Sequence, residues 1–355
     1  MGDTSGPTGI NSITRRTLLF GAAGAALLIA CGEGDGEAGD AGTTASTSNV
    51  AASTPAASAT SAGPWQFTDD RGVTITLPKR PERIVAQVTA AASLWNYGVR
   101  PMGVFGPQKN ADGSQSIEVG NVDLKTVTNL GETHGEIDFE KVAGLQPDLI
   151  VSLYYSGDTV WYITEDAMAP MQAIAPLAAI KVQDVPILSP ITRFGELSAA
   201  LGADLNSKEN VEAKAGFDAA VNDLKAAITS KPGLKVLVVA GGTDTLSVAN
   251  PSVATDLIYF KQLGLDIVQP PVTSFWESLS WEQANRYPVD LILTDQRPST
   301  LSHAKLMEKE VWRSLPAVQA NQVGAWPWKT YSHLSYTKAL KDLTAAIHSA
   351  RADVV

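Results

Sequence analysis

The chain has 355 residues, 44% hydrophobic and 18% charged, with a formal net charge of −10 at pH 7. So acidic a chain excludes a nucleic-acid binder, which needs a basic face to neutralise phosphates. Its single cysteine, Cys31, excludes an intramolecular disulfide and a metal site built from cysteines.

Residues 1–31 read as an export signal. Thr14-Arg15-Arg16-Thr17 is a basic start and Phe20 to Ala30 an apolar run, shorter than the roughly 20 residues a membrane span needs. The run ends at Leu28-Ile29-Ala30-Cys31, which resembles a bacterial lipobox; in such signals the cysteine becomes the lipid-bearing first residue. The paired arginines leave both a twin-arginine and a general secretory route open. Residues 32–63 are Gly, Ala, Ser, Thr, Asp and Glu with almost no bulky side chain, too little apolar surface to offset ordering entropy. They read as a flexible tether reaching roughly 30 Å.

The remainder is long enough for two α/β lobes, expected over 64–206 and 231–355. In the first, alternating segments either side of Asp70-Arg71-Gly72 predict a hairpin. Arg83 to Ala86 predicts a buried strand, Ala90 to Tyr97 a helix ended by Gly98, and Val99 to Phe105 a second strand. Ile137-Asp138-Phe139-Glu140 then leads into Asp148-Leu149-Ile150-Val151-Ser152. Leu279-Ser280-Trp281-Glu282 leads, at the same spacing, into Asp290-Leu291-Ile292-Leu293-Thr294. Strands this apolar read as parallel and covered on both faces, so each copy predicts a helix feeding an α/β sheet.

Between the lobes, Phe217, Val221, Leu224 and Ile228 form one helical stripe. Ser207 caps its start and Pro232-Gly233 ends it, which predicts a linking helix over 207–230. A rod of roughly 36 Å is a stiff connection and implies small lobe movements. The second lobe opens with the strand Lys235 to Ala240. Gly241-Gly242 fits neither G-x-G-x-x-G nor a P-loop and reads as a turn. A helix around Glu308 to Leu315, a strand over Val323 to Trp328 and a helix over Thr337 to Arg351 complete the chain.

Three segments carry a resemblance. Arg80-Pro81-Glu82-Arg83-Ile84-Val85, Gln146-Pro147-Asp148-Leu149-Ile150, and Val311-Trp312-Arg313-Ser314-Leu315-Pro316-Ala317-Val318 with Asn321-Gln322-Val323 are similar to the iron–siderophore substrate-binding proteins of ABC importers, a group that includes cobalamin and haem binders. The resemblance implies an α/β fold of the class III periplasmic binding protein kind: two Rossmann-like lobes, a single long helix joining them, and a ligand cleft between. It implies a binding protein rather than an enzyme, acting outside the cytoplasm as a monomer. Its ligand would be an Fe(III)–siderophore complex held without a covalent bond, and its partners a permease and that permease's ATPase. In that family one glutamate per lobe pairs with permease arginines, and the matching positions are Glu140 and Glu282. A purely local role also suits a first-turn glutamate, since the helix dipole stabilises it by about 0.3–1 kcal/mol.

In parallel α/β sheets ligands bind beyond the carboxyl ends of the strands. That rule selects Gln87 and Thr89, Phe105, Tyr154 and Tyr155, Arg297, and the group Trp326, Trp328 and Tyr331. Adjacent in an extended chain, Tyr154 and Tyr155 cannot both face the cleft. Trp276, next to Phe275 in a loop ahead of Glu282, joins the set. Aromatic faces with one arginine suit a bulky, partly apolar ligand bearing negative oxygens. A hydroxamate siderophore is the expected class, with haem and cobalamin as alternatives. His134, His303, His333 and His348 do not stand at ligand spacing, so no direct metal site is expected. An enzyme is the rival class, but no G-x-S-x-G, H-E-x-x-H or P-loop pattern occurs. A lipoprotein that presents its ligand to a sensor stays open as a further alternative.

Overall fold

The computed structural model describes residues 63–355, apart from 111, 156, 158, 298 and 327–329. The export signal, Cys31 and all of the tether except Gly63 lie outside the described residues, as does Trp328.

The first lobe begins with the hairpin β1 (Trp65–Thr68) and β2 (Thr74–Leu77). Asp69 in its turn accepts the Ala179 N–H at 3.0 Å and ties the hairpin to the sheet. That sheet holds β3 (Ile84–Gln87), β4 (Gly103–Phe105), β5 (Thr128–Asn129), β6 (Leu149–Tyr154) and β7 (Leu177–Lys181), in the order β5-β4-β3-β6-β7, all parallel. Its central strands are buried along their length, as both-face coverage requires. Helices α1 (Val88–Asn96), α2 (Phe139–Gly144), α3 (Glu165–Ile174) and α4 (Leu188–Ala200) connect the strands.

Helix α5 (Lys208–Thr229) joins the lobes, with Ser207 Oγ accepting the Asn210 N–H as its cap. Phe217, Val221 and Leu224 of the expected stripe are buried, while Ile228 is half-buried against the same core.

The second lobe contains β8 (Lys235–Gly241), β9 (Thr245–Ala249), α6 (Thr255–Gln262), β10 (Asp266–Ile267), β11 (Trp276–Ser280) and β12 (Leu291–Asp295). These are followed by α7 (His303–Leu306), α8 (Glu310–Arg313), α9 (Pro316–Gln319), β13 (Val323–Trp326) and α10 (His333–Ser349). The buried face of α10 packs along α5 and shares its core.

This second sheet differs from the expected parallel one. Its order is β11-β9-β8-β12-β13, and β9 and β11 run antiparallel to their neighbours. The expected turn starts one residue later: Gly241 ends β8, and the Gly242 N–H donates to Thr245 O at 2.8 Å, folding β9 back on β8. A Cβ on Gly241 would lie 2.5 Å from Leu306 Cδ2, so a larger residue would push α7 away.

Four local expectations are corrected. Glu282 stands in a single 3-10 turn, Trp281–Gln283, after a strand, not in a helix, and Trp276 opens that strand instead of lying in a loop. The helix expected over 308–315 is shorter, α8 over Glu310–Arg313, and Pro316, which suits the first position of a helix, starts a separate one, α9. The last helix starts earlier, at His333, where Ser332 Oγ caps it by accepting the Ser335 N–H.

Candidate functional site

A cavity of about 220 Å³ opens between the lobes, at the carboxyl ends of four strands. Tyr155 follows β6, Val182 and Gln183 follow β7, Asp295 ends β12 with Arg297 two residues beyond, and Trp326 ends β13. Trp161, Asp256, Phe275, Trp276, Tyr331 and Tyr336 close the walls.

The aromatic rings brace one another. Trp276 meets Trp326 edge to face at 5.9 Å and Phe275 at 5.0 Å, while Tyr155 and Trp161 lie 5.0 Å apart on the first lobe. Such contacts fix the rings in place at little entropic cost when a ligand arrives. The Trp326 indole N–H donates to Asp256 Oδ2 at 2.7 Å, which sets the plane of that ring. The Trp161 Nε1 is buried and finds no hydrogen-bond partner among the described residues.

Arg297 is folded back on the end of its own strand. Its backbone N–H donates to Asp295 Oδ1 at 2.9 Å, and Nε and Nη2 donate to Oδ2 at 2.8 and 2.5 Å. Its guanidinium also stands 6.0 Å from the Trp276 ring centre, within cation–π range. Burial disfavours the Arg297 charge, but the Asp295 carboxylate outweighs it and raises the pKa. Among the described lining residues Arg297 is the single cation.

A buried carboxyl completes the electrostatics. Glu118 lies in a 3-10 turn packed on α1 and accepts from Thr89 Oγ1 at 3.3 Å. Burial pushes its pKa up to about 7, with Arg297 and the Thr89 hydroxyl pulling the other way. Burial likewise lifts Tyr162 to about 12, and raises the pKa of Tyr155 and Tyr331 still further.

The lobes are tied at two places beside the cavity. The Tyr331 N–H donates to Ser93 Oγ at 2.9 Å, its ring stacks on Phe194 at 5.8 Å, and Asn96 Nδ2 donates to Thr330 Oγ1 and Ser332 Oγ. Elsewhere the Asp184 N–H donates to Val253 O at 3.0 Å, and the Thr255 hydroxyl donates to Val182 O.

The structure therefore brings Tyr155, Trp276, Arg297, Trp326 and Tyr331 together around one cavity. Gln87 and Thr89 are not among its lining residues and are fully buried: Gln87 caps α1 by accepting the Thr89 and Ala90 N–H groups, and Thr89 donates to Glu118. Phe105 is sealed in the core, and Tyr154 packs against that same core on the opposite face from Tyr155. Sequence reasoning missed Trp161, Asp256, Tyr336 and Glu118. Trp161 lies beyond the reach of a strand-end rule, and the other three sit on helical turns with no motif to single them out.

Both docking candidates are exposed. Glu140 is in the first turn of α2, entered where the Asp138 N–H bonds Leu130 O just past β5. Glu282 follows Ser280, which pairs with Thr245 beyond the carboxyl end of β8. Each thus stands at the strand-carboxyl end of its own lobe. A hydrogen bond with Ser280 lowers the Glu282 pKa.

Solved structures with this architecture include DesE, a ferric-siderophore receptor protein from Streptomyces coelicolor. It is 38% identical, with a TM-score of 0.78 over 81% of this chain and 99% of that one. More distant are the siderophore-binding protein FhuD from Vibrio cholerae, solved with Fe3+–Desferal, and the petrobactin-binding protein YclQ from Bacillus subtilis. The first is 19% identical with a TM-score of 0.57 over 76% of this chain and 98% of that one. The second is 17% identical with a TM-score of 0.61 over 81% and 99%. No curated protein sequence matches the chain. Residues 106–330 match the model of the periplasmic binding protein family, and with the two-lobed fold and the 38% identical relative they place this chain in that family.

Proposed function

We propose that the chain captures a ferric siderophore outside the cytoplasm, held to the membrane by a lipid on Cys31, and delivers it to the permease and ATPase of an ABC importer. The observation that carries this reading is the wall of the inter-lobe cavity: braced aromatic rings with one arginine, Arg297, already answered by Asp295.

That wall favours a hydroxamate complex. Iron(III) bound by three singly charged hydroxamates is neutral, and its hydrocarbon spacers suit aromatic faces. Three doubly charged catecholates leave a trianion, which would need cations that Asp295 does not already engage. Two relatives support the class: one is described as a ferric-siderophore receptor, and the other was solved with Fe3+–Desferal.

Delivery would use Glu140 and Glu282, one exposed acid at the strand-carboxyl end of each lobe. Ferric-hydroxamate uptake by cells carrying the full chain tests this. The double variant Glu140→Lys, Glu282→Lys should keep wild-type ligand affinity and lose uptake; uptake at the wild-type rate would remove the docking role.

A further inference from the structure

A second cavity, of about 260 Å³, opens at the base of the first lobe, at the amino end of β3 and away from the inter-lobe cleft. Arg80, Glu82, Val99, Arg100, Leu201 and Gly202 line it. The three segments that form it, 79–84, 98–100 and 201–204, carry Lys79, Arg80, Arg83 and Arg100 against Glu82 and Asp204, in a chain whose net charge is −10. Glu82 reaches Lys79 at 3.8 Å, and Arg83 Nε donates to the carbonyls of Leu145 and Gln146. Arg80 and Arg100 are exposed, and neither meets a carboxylate among the described residues.

Both guanidiniums are nevertheless held in place. That of Arg100 stands 4.3 Å from the Trp95 ring centre, and only its Nη1 is engaged, by the carbonyls of Trp95 and Val99 just past α1. The negative end of that helix is thereby answered from within. Arg80 lies against Gly202, just past α4, where φ is +94° and a Cβ would collide with Arg80 Nη1. Two positioned arginines with free N–H groups suit an oxyanion such as a phosphate.

The tether enters the fold at this same end. Trp65 opens β1, and its indole N–H donates to Ala200 O at 2.8 Å, beside Leu201 of the cavity wall. The paired strand β2 ends at Leu77, three residues before Arg80. A lipid on Cys31 and a tether over 32–63 would keep this face within roughly 30 Å of the bilayer.

We propose that the base of the first lobe seats the phosphate of an acidic phospholipid between Arg80 and Arg100, in the membrane that holds the Cys31 lipid. This rests on the lipid-anchor reading above. Charge selects the face, because an acidic surface attracts this end and repels the rest of so acidic a chain. The cleft and the exposed Glu140 and Glu282 lie at the strand-carboxyl ends, so a seated chain turns them away from the bilayer. Seating and permease docking then exclude one another.

Hydrogen–deuterium exchange of the full chain, purified from membranes with its lipid, tests this on vesicles of phosphatidylcholine and of phosphatidylcholine mixed with phosphatidylglycerol. Residues 79–83 and 98–100 should exchange roughly tenfold more slowly on the acidic vesicles, as two cations at an anionic surface allow. High salt should abolish the protection, as should the double variant Arg80→Gln, Arg100→Gln. The single variant Arg80→Gln, which leaves the Trp95 contact intact, should lose most of it. No added protection while the chain stays vesicle-bound would overturn the headgroup seat and leave the anchor intact. Protection that survives the double variant would overturn the role of the arginines. Equal protection by inorganic phosphate without vesicles would overturn the lipid partner in favour of a free anion. Failure to associate with either vesicle would overturn anchor and seat together.

Discussion

Asp148 and Asp290 perform the same task one lobe apart. Asp148 Oδ2 accepts the N–H groups of Glu82 and Arg83, both at 3.0 Å, where the chain enters β3; Asp290 Oδ2 accepts the Lys235 N–H at 3.0 Å, where β8 begins. Each aspartate opens a buried strand and fixes the register of the strand beside it. The repeated aspartate of the sequence pattern is thus structural, whatever the repeated glutamate does. Asp290 is the more buried and also accepts the Val354 N–H at 3.0 Å. Asp290→Ala should therefore cost more than Asp148→Ala, each within about 1–3 kcal/mol. Urea midpoints check the order.

Asp148 also gives stability a pH dependence. Burial works against its charge, but the Glu82 and Arg83 N–H groups outweigh burial and hold its pKa below the ordinary value. Its contribution to stability is present above the unfolded-state pKa of about 3.9 and is lost as pH falls through the lower folded one. Asp148→Asn should flatten that acid limb in a stability–pH profile.

Glu118 has the opposite sign. Burial raises its folded pKa to about 7, so between the unfolded value of about 4.3 and that figure the folded state binds more protons and stability falls as pH rises. Well above pH 7 the charged form costs on the order of 4 kcal/mol. Glu118→Gln, without ligand, should be more stable than wild type at about pH 8 and nearly equal to it at about pH 4. Paired denaturation curves decide this.

The Trp326–Asp256 bond is charge-assisted, and Asp256→Ala would release the ring from the cavity wall. Such bonds contribute about 1.5–3 kcal/mol, so ligand affinity should fall by roughly tenfold to a hundredfold. A folded variant with unchanged affinity would show that the ring needs no anchor.

Trp312 is fully buried, edge to face with Trp281 at 6.5 Å, and its Nε1 has no hydrogen-bond partner among the described residues. Trp312→Ala should cost about 3–5 kcal/mol. Trp312→Phe removes an unsatisfied donor along with some bulk and should cost less than half as much, read from denaturant midpoints at constant slope.

The legible part of the chain is the part written in period and spacing. The stripe at Phe217, Val221 and Leu224 located α5, and the apolar runs at Leu149 and Lys235 located buried strands. The antiparallel half of the second sheet was not legible, because β9 pairs with β8 across a turn that starts at Gly242 and with β11 some thirty residues on, and no local pattern announces either pairing. At the site, the strand-end rule found Tyr155, Arg297 and Trp326, whose places are set by the sheet. Gln87 and Phe105 do not line the cavity, because a residue at a strand end can equally turn inward to cap a helix or fill the core. Glu118 and Asp256 owe their roles to tertiary neighbours distant in sequence, Arg297 and Trp326, which no local pattern announces.

The most direct test of the account is a tryptophan-fluorescence titration of the full chain, since Trp161, Trp276 and Trp326 all line the cavity. Ferric hydroxamate, ferric catecholate, haem and cobalamin are compared, each siderophore also in its iron-free form. The account predicts saturable quenching at submicromolar ferric hydroxamate, abolished by Trp326→Ala together with Trp276→Ala, and weaker binding of the catecholate trianion. No saturable response to any ferric hydroxamate would contradict it.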